Sequence, residues 1–274
     1  MIDNTIVFKN LSKFGLCDVA KNKPGVFDFE LDMQGGTQAQ NVAETSILKE
    51  ETADFDVSGY IYAKQFNCPV CEKGFTTNIA RESKVRVLSV DFDLHPTCQY
   101  INPNFYDIIV CPECGYAAAK DYFNIIAGRQ AAMLLAEIAP NYTAQEYPDR
   151  LDVDMAIERY ELALLNSVVK NGKLGEKAYL CMKLMWFYRL KGDVSRQKLF
   201  AELTLKGFSA ALVQEDLPIM GLNGDTITYL LGALYMVLED NINALKLLSN
   251  VVVSKSASDR LKDKARNLKD EMKE

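Results

Sequence analysis

CPVC at residues 68–71 and CPECG at residues 111–115 decide how the rest of this chain is read. A two-residue gap between cysteines lets both sulfurs of one turn converge on one ion, with backbone N–H groups of that turn pointing toward the sulfurs. Pro69 and Pro112 stiffen the two turns, and Gly115 tolerates the conformation that closes the second. Together the turns supply four thiolates, Cys68, Cys71, Cys111 and Cys114, the tetrahedral set that zinc prefers. Structural zinc contributes on the order of 10 kcal/mol or more to folding at neutral pH, and it stabilises a small β unit with little core of its own. A rubredoxin-like iron site uses the same four thiolates for electron transfer, so the set reads as structural Zn2+ with iron as the alternative. The 39 residues between the pairs exceed the roughly 15 to 20 of a compact finger and require a strand-rich insertion.

The flanking sequence fits that reading. Tyr60, Tyr62 and Lys64 alternate with Ile61, Ala63 and Gln65 before the first pair. Val85, Val87, Val90, Phe92 and Leu94 are spaced as in a half-buried strand, and an apolar run over 106–110 leads into the second pair. Pro96, Pro103 and Gly74 mark turns between them.

Beyond residue 123 the period changes to that of helices, predicted over 122–138, 153–170, 173–190, 194–214, 226–239, 242–254 and 258–273. Asp193, Asp225 and Ser256 or Ser258 are the expected N-caps. Gly172, Gly192 and Gly224 fall between helical segments, where a positive φ is useful. Tyr229-Leu230-Leu231-Gly232-Ala233-Leu234-Tyr235, followed by Ala244 and Leu248, matches the tetratricopeptide template, with Gly232 and Ala244 small because two helices cross closely there. Looser copies are Leu184, Tyr188 and Gly192 in one segment and AIERYELAL over 156–164 in another. Stacked repeats of this kind share one continuous core, which also accounts for Trp186, Phe187 and Tyr188. The basic tail from Arg260 to Lys273 is interleaved with acids and reads as a solvated helix face.

The start of the chain differs again. Five lysines stand against ten acids over residues 1–62. Residues 34–56 are polar, acidic and poor in large apolar side chains, and read as a flexible linker. Before them, Phe8, Leu11, Phe14, Leu16 and Val19 line one face of a short helix, and Phe27, Phe29 and Leu31 alternate as in a docking segment. The expectation is a terminus that packs lightly on the rest.

The net charge of −6 excludes a protein that binds nucleic acid by bulk charge, and no apolar run approaches the length of a membrane helix. No secretory leader is visible in the first 20 residues, and a cytoplasmic protein is expected. There the seven cysteines are not structural disulfides. His95 and Cys98 sit in the insertion as loop or strand-end residues, because four thiolates already fill a zinc site. Cys17 and Cys181 fall in apolar helical patterns and read as buried, inert thiols. With one histidine, no nucleophile–base pair can be named, and Gly35-Gly36 lies in the polar linker rather than in a phosphate loop.

Several motifs coincide with a known pattern: FNCPVC over 66–71, KVRV over 84–87, DFDL over 91–94, INPNFYD over 101–107, VCPECGYA over 110–117, AIERYELAL over 156–164 and KAYLC over 177–181. On these residues the chain resembles the bacterial family catalogued as domain of unknown function 2225, over roughly residues 60–270. The resemblance implies that Cys68, Cys71, Cys111 and Cys114 are the recurrent cysteines and leaves Cys98 outside the pattern. It brings no activity with it. Glu72 stands where a glycine usually follows a zinc-knuckle cysteine.

The fold class is therefore α+β: an N-terminal segment and acidic linker over residues 1–59, a small strand-rich zinc-ribbon module over 60–123, and an all-α tetratricopeptide-like helical array over 124–274. The expected function is that of a cytoplasmic zinc-binding protein acting as an interaction or scaffold module on a protein or peptide partner. The alternative is a rubredoxin-like or thiol-redox electron-transfer protein using the same four cysteines. An enzyme, a nucleic-acid partner and a membrane partner are not expected.

Overall fold

A computed structural model of the chain describes residues 4–27 and 56–272. The N-terminal part holds two short helices, α1 (Asn4–Val7) and α2 (Cys17–Lys21). Three antiparallel hairpins follow: β1 (Ile61–Asn67) with β2 (Gly74–Ala80), β3 (Arg86–Val90) with β4 (Pro96–Gln99), and β5 (Ile108–Val110) with β6 (Ala117–Ala119). The rest is helical: α3 (Gly128–Glu137), α4 (Val153–Val169), α5 (Leu174–Leu190), α6 (Val194–Gln214), α7 (Gly224–Val237), α8 (Asn241–Val253) and α9 (Asp259–Glu271). Small strand pairs thus precede an all-helical array, the α+β arrangement expected from the sequence.

Helix boundaries follow local chemistry. Asp152, Asp193, Asn223, Asp240 and Ser258 each accept a hydrogen bond from the backbone N–H three residues on, satisfying a donor the helix leaves open. The expected cap Asp225 instead lies in the first turn of α7, where it accepts the hydroxyls of Ser254 and Ser256. Gly192 adopts φ 72° as anticipated, but beyond α4 the left-handed residue is Asn171 at φ 51°, not Gly172. The first helix of the array begins six residues later than the periodicity suggested, because residues 120–122 form a 3-10 turn instead.

α5 is buried nearly all round, with Leu180, Cys181, Leu184, Met185 and Phe187 at 0–1% exposure, so it is the centre of the array. α4 packs on one side of it and α6 on the other. Their core runs without a break into β5, β6 and Tyr116, whereas a second, smaller core joins α7, α8 and α9 through Tyr229, Ala233, Leu248 and Ala265. Gly232 makes the expected close crossing: a Cβ there would lie 2.9 Å from Leu248 Cγ in α8.

The N-terminal segment departs from expectation. Val7, Leu11, Phe14 and Leu16 are fully buried in the main core, and Phe27 lies against Gly207 of α6. Asn10 donates its backbone and side-chain N–H groups to Glu161 of α4, and Arg196 of α6 donates to the Ile6 carbonyl. A terminus read as lightly packed is therefore part of the helical core over residues 4–27. The linker read over 34–56 lies, but for Asp56, outside the described residues, as do Phe29 and Leu31.

Candidate metal centre

Each cysteine pair closes a hairpin. β1 and β2 stay in register to Asn67 opposite Gly74, leaving residues 68–73 as the turn. β5 and β6 do the same to Val110 opposite Ala117, leaving 111–116. The two turns share one hydrogen-bond pattern. Cys68 N–H donates to Lys73 O at 2.9 Å and Cys111 N–H to Tyr116 O at 2.8 Å. Glu72 N–H returns to Cys68 O at 2.9 Å, and Gly115 N–H to Cys111 O at 3.1 Å. Val70 N–H points at Cys68 Sγ, 3.4 Å away. Glu72 adopts the left-handed backbone that its position demands, at φ 61°.

The hairpins face one another turn to turn. Cys68 Sγ lies 3.7 Å from Cys114 Sγ, and Cys71 Sγ 3.6 Å from Cys111 Sγ. All four sulfurs lie within 4.8 Å of one another. A disulfide would need about 2.05 Å. Four sulfurs at about 2.3 Å from a central ion stand about 3.8 Å apart, so the donor set and its spacing fit a tetrahedral metal. Cys68, Cys111 and Cys114 are buried and Cys71 is half-buried, which leaves the cluster shielded from water.

Crowding sets the protonation of the thiols. Hydrogen bonds from the Cys111 and Cys114 thiols pull Cys68 down to about 4. The Cys111 and Cys68 sulfurs push Cys114 far up in turn. Four thiolates at this spacing repel one another, and a divalent cation is what makes all four ionise.

The other sulfurs and the histidine lie elsewhere. Cys98 pairs with Val87 across the β3–β4 hairpin, and burial raises its pKa. Cys181 is buried in α5, whereas Cys17, expected to be buried, is half-buried at the start of α2. His95 is a loop residue as anticipated, but it is only 2% exposed, with its ring 5.0 Å from that of Trp186. Burial and the nearby Arg189 lower its pKa, with Asp93 and Asp91 opposing. Arg189 grips Asp93 through both terminal nitrogens, at 2.7 and 3.1 Å, and Asp91 at 2.9 Å. The expected half-buried strand around Val87 is mostly exposed, and it is the DFDLH segment after it that anchors the insertion to α5.

The sequence reading missed several buried charges, among them Arg159 and Glu161 in α4 and Lys183 in α5. The first two lie inside AIERYELAL, which the sequence reading takes only as a loose copy of the repeat. Glu161 instead accepts from Asn10, Tyr188 and Arg196 at the meeting point of the N-terminal segment, α5 and α6.

Paired cysteine knuckles mounted on a helical array define the class: a protein with a buried four-cysteine centre able to hold a metal ion. A family model described as uncharacterized protein conserved in bacteria, domain of unknown function 2225, matches residues 61–272, and the chain belongs to that family. No curated protein and no solved structure matches the chain. Among the described residues, no helix is long and apolar enough to cross a membrane.

Proposed function

We propose that this chain is a cytoplasmic structural zinc protein whose tetratricopeptide-like helices serve as a scaffold for a protein or peptide partner, with Cys68, Cys71, Cys111 and Cys114 as the zinc ligands. The observation that supports it most is the pair of equivalent knuckles, whose 3.6 and 3.7 Å contacts between turns match the edges of a tetrathiolate site. The four cysteines use up the coordination sphere, so a structural role fits better than a catalytic one. The close crossing of α7 and α8 at Gly232 and Leu248 supports the repeat reading. Zinc fits a site whose sulfurs are mostly buried.

Elemental analysis of protein purified without added metal tests the reading, with Cys111→Ser as control. One zinc per chain, lost in the variant, is expected. A red protein containing iron with a thiolate charge-transfer band would instead establish the electron-transfer alternative. Metal retained in full by the variant would refute the four-cysteine assignment.

A further inference from the structure

Beside the cysteine centre, and separate from it, lies a cleft of about 250 Å³ between β2, the second knuckle and the segment that leads into α4. Its walls mix polar and apolar side chains, with the rings of Phe75, Tyr142 and Tyr147 among them, and Arg159 of α4 lines it as well. Arg159 is 4% exposed. Its terminal nitrogens donate to the carbonyls of Phe105 and Ile108, and its guanidinium carbon sits 5.7 Å from the Tyr147 ring centroid. Its Nε–H has no acceptor, and among the described residues no carboxylate is in ion-pair contact with it, the buried Asp107 acting on it only from further off. Burying a guanidinium without a counter-charge is costly, and buried charges are as a rule paired. Two of the other polar groups of the cleft are already engaged. Tyr106 Oη bonds the backbone at Asp149 and Leu151, both at 3.0 Å, and Asp149, the one acid in the lining, accepts from Asn78 Nδ2 at 2.7 Å. The arrangement is thus a cleft with aromatic rings on its walls and one buried guanidinium that has no ion-pair contact.

We propose that this cleft binds a small aromatic monocarboxylate, its ring between the Tyr142 and Tyr147 side and Phe75, its carboxylate answering Arg159. A single guanidinium with Asp149 nearby suits one negative charge rather than a polyphosphate. The volume suits a ligand of one ring. This site is independent of the metal assignment: it is read by titration, whereas the metal is read by elemental analysis, so either can fail alone.

The test is titration of the full chain, as purified, with benzoate and 4-hydroxybenzoate, followed by calorimetry and by the Arg159 Nε–H resonance in 15N spectra. Saturable one-to-one binding that shifts that resonance is expected, with the neutral isostere benzamide at least about tenfold weaker, in line with loss of a charge-assisted bond. Arg159→Gln weakens benzoate by a similar factor, and Thr77→Trp, which fills the cleft from β2, abolishes binding while leaving the guanidinium in place. The proposal is overturned if neither carboxylate saturates, if benzamide binds equally well, if Thr77→Trp binds benzoate unchanged, or if inorganic phosphate binds more tightly than benzoate.

Discussion

Glu72 and Gly115 occupy the same place in two copies of one turn, at φ 61° and 70°, each returning its N–H to the carbonyl of the first cysteine. Glycine enters this conformation freely, whereas a residue with a Cβ meets roughly 1–2 kcal/mol of steric cost. Glu72→Gly should therefore be neutral or stabilising by up to about 1 kcal/mol, the relief being partly offset by the greater freedom of glycine in the unfolded chain. Gly115→Ala should cost more than about 2 kcal/mol, because its Cβ would also lie 2.5 Å from the Tyr142 ring. Urea denaturation of the two variants checks this asymmetry, and equal effects would contradict it.

Metal removal should not loosen the two hairpins equally. The β5–β6 pair is buried against α4, with Ile108, Ile109, Ala117 and Ala118 at 4% exposure or less. The β1–β2 pair buries only Ile61, Phe66 and Ile79. With the ion gone, the more exposed hairpin loses its strongest tie to the core. Hydrogen exchange on chelated protein should rise over residues 61–80 well before it rises over 108–119. Uniform protection in both would show that the cysteine centre does not hold the module together.

The knuckles and the helices could be read from sequence because both are local. A C-x-x-C turn is chemistry within six residues, and a helix repeats every 3.6 residues. Long-range pairing has no such signature. Asn10 and Glu161 meet across 151 residues, and nothing near either announces the other. Arg159, Glu161 and Lys183 break the statistical rule that charges face water, so a pattern-based reading places them outside. The same limit explains the caps: Asn223 and Asp225 are equally good cap residues, and only the entry angle of the chain into α7 selects the first. The aromatic cleft combines residues of β2, the second knuckle and α4, and becomes visible only in three dimensions.

The docked N-terminal segment depends on a glycine. A Cβ on Gly207 would lie 2.4 Å from Phe27 Cζ and 2.7 Å from Ala178 Cβ, so it is blocked on both sides. Gly207→Ala should unseat Phe27 rather than spread α5 from α6, because a single side chain outside regular structure yields more easily than a helix pair. Overpacking of this kind costs about 1–3 kcal/mol, against which alanine recovers about 1 kcal/mol of helix propensity. Limited trypsin digestion should cut faster after Lys21 in the variant, with the helical array left intact. Unchanged cleavage would mean that Phe27 does not anchor the segment.

Lys183 offers a test by pH. It is 7% exposed, its Nζ donates to Asn104 Oδ1 at 2.8 Å, and it lies 4.5 Å from the Trp186 ring centroid. Burial lowers its pKa from 10.5 to about 8, with Asp107 opposing the shift. Because the folded value lies below the unfolded one, the unfolded chain holds the extra proton between the two. Burial of the charge therefore opposes folding in full below about pH 8, and the opposition fades as pH rises to about 10.5. Buried tyrosines and Cys181 titrate in the same alkaline range with the opposite sign, so the wild type alone gives no clean reading. Lys183→Met removes the one group and keeps the others. The stability of the wild type relative to this variant should rise by about 3 kcal/mol between about pH 7 and about pH 10.5. A difference that stays flat across that window, in paired urea titrations, would show that Lys183 keeps an ordinary pKa in the folded chain.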